Sequence, residues 1–171
     1  MNTLVLGGVK SGKSSLAAGL AASSSKQAVI IATATAEDGE MRRRIARHRA
    51  ERSPDWLVVE EPVAIAQVLD QQTSDTIVVV DCLTLWLTNL LLADDEQILI
   101  REREALLQSL AAVSADVVLV SNEVSMGVVP MGELSRRFCD EAGVLHQRIA
   151  ALSDTVILCV AGLPHFLKVT D

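Results

Sequence analysis

The sequence predicts an α/β protein in which helices cover both faces of a mostly parallel sheet. Three observations support this: short continuous apolar runs, helix-like stretches between them, and a near absence of aromatic side chains. Half of the 171 residues are apolar but only 2% are aromatic. Ala, Val, Leu and Ile must therefore fill the core, as in sheets buried on both faces. A chain of this length is expected to form one domain, residues 1–171.

Six segments are predicted to be strands. Several are unbroken apolar runs rather than alternating ones, which is typical of strands buried on both faces. Helix-like stretches separate the segments, so neighbouring strands are expected to run parallel and to be joined by right-handed crossovers. The segments are 2–6, Ala28–Ala32, Leu57–Val59, Thr76–Asp81, Asp116–Ser121 and Thr155–Val160.

The clearest predicted helix covers Glu133–Leu152. Its apolar side chains recur at the spacing of one helix face, namely Leu134, Phe138, Leu145, Ile149 and Leu152. A further helix is expected to begin at Ser14, directly after the first strand and its loop.

The loop after the first strand carries a complete GxxxxGK[ST] pattern. Its glycines let backbone N–H groups point at phosphate oxygens, Lys13 can place an ammonium on the β- and γ-phosphates, and Ser14 can bind Mg²⁺. The following helix would direct its N-terminus at the same anion. The sequence therefore predicts a nucleotide-binding, P-loop NTPase-type (RecA-like) fold. The loop consists of Gly7, Gly8, Val9, Lys10, Ser11, Gly12, Lys13 and Ser14.

Polar residues end two other predicted strands. Asp81 follows an apolar run and is expected to hold Mg²⁺ directly or through water, or to cap the helix that begins near Leu83. Asn122 and Glu123 end a second run. Ligands bind at the carboxyl ends of parallel strands, so these two residues are site candidates, although ordinary loop polarity explains them equally well.

The segment Glu40–Arg52 is unusually basic for a chain with a net charge of −7. On a helix, Arg44, His48 and Arg52 would share one face, and like charges at this spacing destabilise a helix unless an anion neutralises them. The alternative is a solvated charged face. The segment contains six of the fifteen basic residues: Arg42, Arg43, Arg44, Arg47, Arg49 and Arg52.

His48 is the candidate reactive group of this segment. The surrounding positive charges disfavour its imidazolium form, which favours a neutral ring near pH 7. Such a ring beside phosphate-binding arginines could act as a base or attack phosphorus, and the spacing alone does not choose between these roles.

Several classes of protein are disfavoured. The negative net charge argues against a nucleic-acid binder. No apolar run has membrane-spanning length and no signal-like segment opens the chain, so a cytoplasmic location is expected. Cys82, Cys139 and Cys159 lack metal-ligand spacing and are expected to be small core residues.

Together these motifs resemble the bifunctional adenosylcobinamide kinase/adenosylcobinamide-phosphate guanylyltransferase family of cobalamin assembly. The resemblance runs nearly end to end and combines the phosphate loop with the Arg/His segment and the run Asn122–Pro130. The chain departs from the family pattern at three positions: Ser125 stands where Gly is expected, His146 where Asn is expected, and Cys139 where Arg is expected.

The resemblance implies two reactions. A nucleoside triphosphate, GTP or ATP, phosphorylates adenosylcobinamide; GTP then guanylylates His48, and GMP passes to adenosylcobinamide phosphate. It also implies a homotrimer and a corrinoid partner. The rival hypotheses are another small P-loop metabolite kinase and a non-catalytic GTP-dependent switch. The residues matching family nucleotide contacts are Ala32, Thr33, Ala34, Arg49, Ala50, Glu51, Arg52, Glu60 and Asp81. Because Glu61 directly follows Glu60, the match at this position could shift by one residue.

Overall fold

A computed structural model describes residues 1–35, 53–95 and 97–170, and in them seven strands form one sheet. Each of the six predicted strands is confirmed, with ends that agree to within one residue. The strands are β1 (Asn2–Gly7), β2 (Gln27–Ala32), β3 (Leu57–Glu60), β4 (Thr76–Asp81), β5 (Asp116–Asn122), β6 (Thr155–Val160) and β7 (Leu163–Val169).

The sheet has the strand order β3-β2-β4-β5-β1-β6-β7. Every neighbouring pair is parallel except β6 and β7, which are antiparallel. β1, which leads into the phosphate loop, lies between β5 and β6. The predicted mostly parallel sheet is therefore confirmed, with one antiparallel strand added at an edge.

β7 is the strand that the sequence reasoning missed. It forms a hairpin with β6 through Ala161 and Gly162, whose φ angles are 52° and 80°, and a type I′ turn requires positive φ at both positions. Pro164 interrupts the apolar pattern of this strand. Proline is tolerated here because β7 lies at the edge of the sheet, where a missing N–H breaks no central ladder.

Helices cover the two faces unequally. α1 packs on one face through Ala17 and Ala21 against β-strand residues such as Val5, while the other described helices pack on the opposite face around Leu4 and Trp86. The predicted helix at Glu133–Leu152 is confirmed with the same bounds. The helices are α1 (Lys13–Ser23), α2 (Ile65–Leu69), α3 (Leu83–Leu91), α4 (Ile98–Ala112) and α5 (Glu133–Leu152).

None of the helices in the described residues is both long enough and apolar enough to cross a membrane. The three cysteines are free thiols. Cys159 is buried as expected of a core residue, whereas Cys82 and Cys139 are only half-buried.

Candidate active site

The phosphate loop turns tightly between β1 and α1. Lys10 and Gly12 have φ angles of 56° and 98°, and the Ser11 N–H donates to Gly8 O at 3.2 Å. Lys13 is buried, and its Nζ donates to Gly8 O at 3.2 Å. The lysine ammonium is thus held at the loop itself, where the sequence predicts phosphates to bind.

Two glycines are required by close contacts. A Cβ on Gly7 would lie 2.4 Å from Ser11 Oγ and 2.6 Å from Cys159 O. A Cβ on Gly12 would lie 3.0 Å from Gly162 Cα, on a backbone whose positive φ already disfavours a side chain. Only glycine fits these two positions without movement of the loop or its neighbours.

The β6–β7 hairpin supports the phosphate loop from behind. Gly162 N–H and the Cys159 thiol both donate to Ser11 O, at 2.8 and 3.1 Å. Ser11 Oγ is buried and has no hydrogen-bond partner among the described residues. Buried hydroxyls are nearly always paired, so this oxygen has capacity for a bound ligand or water.

Strand register brings the sequence-predicted residues of five strands to one edge of the sheet. Ala32 of β2 is the partner of both Glu60 of β3 and Asp81 of β4. Gly7 of β1 is the partner of Asn122 of β5. The carboxyl ends of these parallel strands therefore form a continuous polar edge beside the phosphate loop, where ligands bind in such sheets.

Asp81 is the last residue of β4, and Cys82, not Asp81, is the N-cap of α3. Cys82 therefore takes the N-cap position that the alternative gave to Asp81, and among the described residues its side chain makes no capping hydrogen bond. The peptide between Asp81 and Cys82 is cis. Asp81 is half-buried, at the position that the P-loop pattern predicts for a metal-supporting carboxylate.

Thr33 ties the ends of β2 and β4 together. Its side chain is fully buried; Oγ1 donates to Cys82 O at 2.8 Å and accepts from Cys82 N–H at 2.9 Å. Ala32 and Ala34, on either side, are half-buried. The Thr33 hydroxyl proton is thus engaged within the protein and is not available to a nucleotide.

α3 is fastened to the loops at this edge by two polar side chains. Trp86 Nε1 donates to Val63 O at 2.6 Å. Asn89 Nδ2 donates to Thr33 O at 2.9 Å and to Pro62 O at 3.0 Å. The middle and the end of α3 are therefore held against the segments that follow β2 and β3.

The adjacent carboxylates Glu60 and Glu61 have different environments. Glu61 Oε1 accepts from Val63 N–H at 2.9 Å and from Ala64 N–H at 2.8 Å, so it shapes the turn before α2. Glu60 is exposed at the end of β3. The Glu61 carboxylate is thus engaged in its own turn, and Glu60 is the more solvent-exposed of the two side chains.

Glu123 joins the segment after β5 to the phosphate loop. Its N–H donates to Gly7 O at 3.0 Å, and its carboxylate accepts from the N–H groups of Ser125 and Met126 at 2.8 and 3.1 Å. Burial would raise the pKa of Glu123, but these hydrogen bonds outweigh it and the pKa is lowered. The carboxylate stays ionised and holds its own loop.

Ser125 fits this loop without the backbone freedom of glycine. It is not among the described residues with positive φ, and its hydroxyl also donates to Glu123 Oε1. The departure from the family's glycine is therefore accommodated by an additional hydrogen bond rather than by a strained backbone.

A hydroxyl network that the sequence reasoning missed supports the end of β5. His146 Nε2 lies 2.8 Å from Ser121 Oγ, and Ser121 Oγ lies 3.4 Å from Thr84 Oγ1. Thr84 Oγ1 accepts from Asn122 N–H at 2.7 Å. Burial lowers the pKa of His146, an effect partly offset by the charge of Glu123. The one sequence signal that pointed to this network was His146, which stands where the family pattern has Asn.

The Arg/His segment lies outside the described residues. This applies to the predicted helix at Glu40–Arg52 and to five candidate site residues, His48, Arg49, Ala50, Glu51 and Arg52. Within 1–35, 53–95 and 97–170, no three His, Cys, Asp or Glu side chains group closely enough to hold a metal ion by themselves.

Comparison with known proteins decides the family. A family model described as cobinamide kinase / cobinamide phosphate guanyltransferase matches residues 3–167. The chain belongs to this family. The resemblance found in the motifs is thereby confirmed.

Two relatives of the chain match over nearly their whole length. The bifunctional adenosylcobalamin biosynthesis protein CobP of Pseudomonas aeruginosa is 56% identical over 169 residues, covering 98% of each chain. The corresponding CobU of Escherichia coli is 37% identical and covers 95% of this chain and 97% of its own.

Solved structures at lower identity support the fold of this family member. The RadB recombinase is 16% identical with a TM-score of 0.52, covering 92% of this chain and 73% of that one. The ATPase EscN of enteropathogenic E. coli is 12% identical with a TM-score of 0.53, covering 94% and 43%. The predicted P-loop NTPase-type fold is confirmed.

Proposed function

We propose that this chain phosphorylates adenosylcobinamide with GTP or ATP, then transfers GMP from GTP through a guanylylated histidine to adenosylcobinamide phosphate. The product would be adenosylcobinamide-GDP. Membership of the cobinamide kinase family and the names of its bifunctional relatives support the two activities. The observation that carries the proposal is the complete phosphate loop, with a buried lysine, at the polar edge of the sheet.

The phosphate loop is suited to the triphosphate. The first turn of α1 holds no acidic side chain and has no side-chain cap among the described residues, so its N–H groups can face an anion. Lys13 adds a positive charge at the same place. Ser11 Oγ, buried and unpaired within the described part of the chain, can donate to a phosphate oxygen or to a water bound there.

The residues at this edge fit Mg²⁺ accompanying the nucleotide. The ion binds oxygen donors, usually one or two carboxylates together with phosphate oxygens and water. Ser14 supplies a hydroxyl at the start of α1 and Asp81 a carboxylate at the end of β4, and these two would hold it. When bound, Mg²⁺ neutralises phosphate charge.

In the kinase step, the aminopropanol hydroxyl oxygen of adenosylcobinamide attacks the γ-phosphorus. The bond between that phosphorus and the β–γ bridging oxygen breaks, a nucleoside diphosphate leaves, and the hydroxyl proton passes to solvent. Catalysis of such transfers is mostly positioning and charge stabilisation. Lys13 and the loop amides would supply both, by fixing the phosphates and stabilising their charge.

In the transferase step, we assign His48 as the nucleophile. An imidazole nitrogen attacks the α-phosphorus of GTP, the bond to the α–β bridging oxygen breaks, and pyrophosphate leaves. A phosphate oxygen of adenosylcobinamide phosphate then attacks the same phosphorus and releases the histidine. A covalent intermediate divides one difficult transfer into two easier ones, and the neighbouring arginines suit the charge of the leaving pyrophosphate.

The remaining assignments complete the proposal. Nucleotide contacts are proposed for Ala32, Thr33, Ala34, Arg49, Ala50, Glu51, Arg52, Glu60 and Asp81, within a single domain. We also propose a cytoplasmic homotrimer that does not bind nucleic acid. The free cysteines are consistent with a reducing compartment. A contact between subunits, of whatever number, is supported by apolar side chains exposed on the edge strand β7, among them Leu163, Phe166 and Leu167.

The test is covalent labelling of a His48→Ala variant with α-³²P-GTP and Mg²⁺. Wild-type protein should gain label and about 345 Da, the mass of a GMP residue, whereas His48→Ala should gain neither and still phosphorylate adenosylcobinamide. His165→Ala, which changes an exposed histidine on β7, is the matched control and should label normally.

Three outcomes would contradict the proposal. Label on the His48→Ala protein would refute the nucleophile. Phosphorylation of a different small metabolite, with no covalent nucleotide on the wild type, would favour another P-loop kinase. GTP binding with no corrinoid turnover would favour a nucleotide-dependent switch.

A further inference from the structure

An apolar groove of about 340 Å³ opens between α3, the segment after β5, and the start of α5. Five apolar side chains dominate its walls, and the hydroxyls of Thr88 and Ser135 also line it. A volume in this range suits a small molecule or one part of a larger one. The apolar walls are Leu91, Leu92, Val124, Leu134 and Phe138.

The groove is continuous with the edge of the sheet that carries the phosphate loop. Val124, in its wall, directly follows Glu123, whose N–H donates to Gly7 O at 3.0 Å. On the other wall, Thr88 Oγ1 donates at 3.0 Å to the carbonyl of Thr84, whose hydroxyl in turn accepts from Asn122 N–H. A molecule in the groove would therefore lie beside the residues proposed to hold the nucleotide.

Exposed apolar side chains extend the surface beyond the groove. In its wall, Leu92 and Leu134 are 62% and 51% exposed, and in the adjoining loop Val128 and Met131 are 96% and 97% exposed. Contiguous exposed apolar surface of this kind marks a binding site more often than ordinary protein surface.

The loop that bears these side chains is anchored at both ends. Glu123 accepts hydrogen bonds from the backbone of residues 125 and 126 at one end. Arg136 NH1 donates to Pro130 O at 3.1 Å at the other. The apolar surface is thus built on a hydrogen-bonded framework, which lowers the entropy lost when a ligand binds.

We propose that this groove binds the methyl-bearing edge of the corrinoid substrate and directs its aminopropanol arm toward the phosphate loop. This inference rests on the proposed function, which supplies the substrate. A corrinoid is too large for the groove as a whole, but its ring edge carries methyl groups that match the apolar walls. Its amide arms can pair with the hydroxyls of Thr88 and Ser135.

The charge of the corrinoid also favours its binding in this groove. An alkylated Co(III) corrinoid without its nucleotide loop is a cation, because the metal charge exceeds that of the corrin and alkyl ligands. The chain has a net charge of −7, and the ionised carboxylate of Glu123 is adjacent in sequence to Val124 in the groove wall. A cationic, methyl-rich ring is therefore attracted by the field of the protein.

The test compares steady-state kinase kinetics of Leu134→Asp and Leu92→Asp with wild type. Both side chains are more than half exposed, so the variants should fold. A carboxylate against methyl groups should raise the KM for adenosylcobinamide about tenfold or more, while the KM for GTP changes less than about twofold. Val144→Asp is the control: it lies on α5, is 44% exposed, and does not line the groove.

The outcomes separate this inference from the proposed function. If wild type phosphorylates adenosylcobinamide and both groove variants keep its corrinoid KM, the groove assignment is wrong and the function stands. If wild type neither binds nor phosphorylates the corrinoid, both fail. If either variant changes the mass of the assembly in sedimentation, and loses activity as it does so, the groove is an interface between copies of the chain. That outcome also overturns the assignment.

Discussion

The two edges of the sheet use the same kinds of polar residue in different ways. One edge, the amino edge, is formed by the amino-terminal ends of the parallel strands. There Asp116 accepts from the N-terminal ammonium at 2.9 Å and from Lys26 at 2.7 Å, and Asn2 N–H donates to the Asp154 carboxylate at 2.6 Å. Each of these groups joins chain segments that are distant in sequence. The polar groups of this edge pair with one another and fasten the fold.

At the carboxyl edge, several polar side chains bond to backbone groups of their own loops: Lys13 Nζ donates to Gly8 O, and the Glu123 carboxylate accepts from Ser125 N–H and Met126 N–H. Two loop residues have positive φ, a lysine is buried against a carbonyl, and Ser11 Oγ has no partner within the described residues. Such features reduce stability and are typical of binding sites. The difference predicts that substitutions at the carboxyl edge remove activity and spare stability, whereas those at the amino edge do the reverse.

The largest effect is expected from Lys13→Ala. Loss of the ammonium should lower kcat/KM for corrinoid phosphorylation by roughly 10²–10³, because phosphoryl transfer depends on charge stabilisation, and guanylylation should fall with it. The free energy of unfolding, measured in urea without nucleotide, should change by less than about 1 kcal/mol, because removing the buried ammonium also removes the cost of its desolvation.

Lys26→Ala at the amino edge is the matched control for this variant. It removes a lysine that pairs with Asp116 at 2.7 Å and should leave phosphorylation unchanged. Normal phosphorylation by Lys13→Ala would contradict the role of the loop. A large loss of stability in Lys13→Ala would contradict the division between the edges.

An intermediate effect is expected from His146→Gln, which keeps a polar atom near Nε2 but cannot titrate. Because burial lowers the pKa of His146, the folded state favours the neutral ring. The network is therefore complete above the unfolded value of about 6.5 and is weakened as the pH falls through the folded value. Wild-type kinase activity should drop a few-fold over that acid range, and the glutamine variant should lose less.

A second variant of His146 separates the effect of its titration from the effect of its packing. His146→Leu removes the contact with Ser121 Oγ and leaves a buried hydroxyl one partner short, which costs about 1 kcal/mol. Its activity should be reduced at every pH. Equal acid sensitivity in wild type and His146→Gln would instead assign the pH dependence to another group, of which Glu123 is the nearest charged candidate.

Much of the fold was predictable because its signals are local. Five of the six predicted strands are apolar runs that are mostly buried. The sixth, β3, is a short apolar run whose side chains are mostly exposed. In α5, apolar residues recur at helical spacing over 20 residues, so each of these elements could be found without knowledge of its neighbours. β7 has no such signal: Pro164, His165 and Lys168 interrupt it, and most of its side chains are exposed. Its place in the sheet depends on the hairpin with β6.

The site was predictable only in part: its residues at the strand ends could be predicted, but the contacts that support them could not. Asp81, Asn122 and Glu123 could be placed at one edge because parallel strands end together. The supports of the site could not, because their partners are distant in sequence: Cys159 and Ser11 are 148 residues apart, and His146 and Ser121 are 25 apart. A single hydroxyl or thiol has no periodic pattern that would indicate such a pairing.

The smallest effect, and the sharpest test of the amino edge, is expected from Asp116→Asn. Burial would raise the pKa of Asp116, but Lys26 and the N-terminal ammonium outweigh it and the pKa is lowered. The carboxylate therefore stabilises the fold above the unfolded value of about 3.9, and this contribution is lost as the pH falls through the folded value. At pH 7 the variant should lose about 1 kcal/mol in urea unfolding at low salt, and less at high salt because both partners are partly exposed.

Asp94→Asn, which changes an exposed carboxylate in the segment after α3, is the control for Asp116→Asn and should leave stability unchanged. The difference in unfolding free energy between the Asp116 variant and wild type should shrink as the pH falls through the lowered pKa of folded Asp116, below which both proteins carry a neutral side chain. Phosphorylation and guanylylation should be unaffected at pH 7. A loss of either activity in Asp116→Asn, without unfolding, would mean that the central strand β5 couples the two edges and that their roles are not separable.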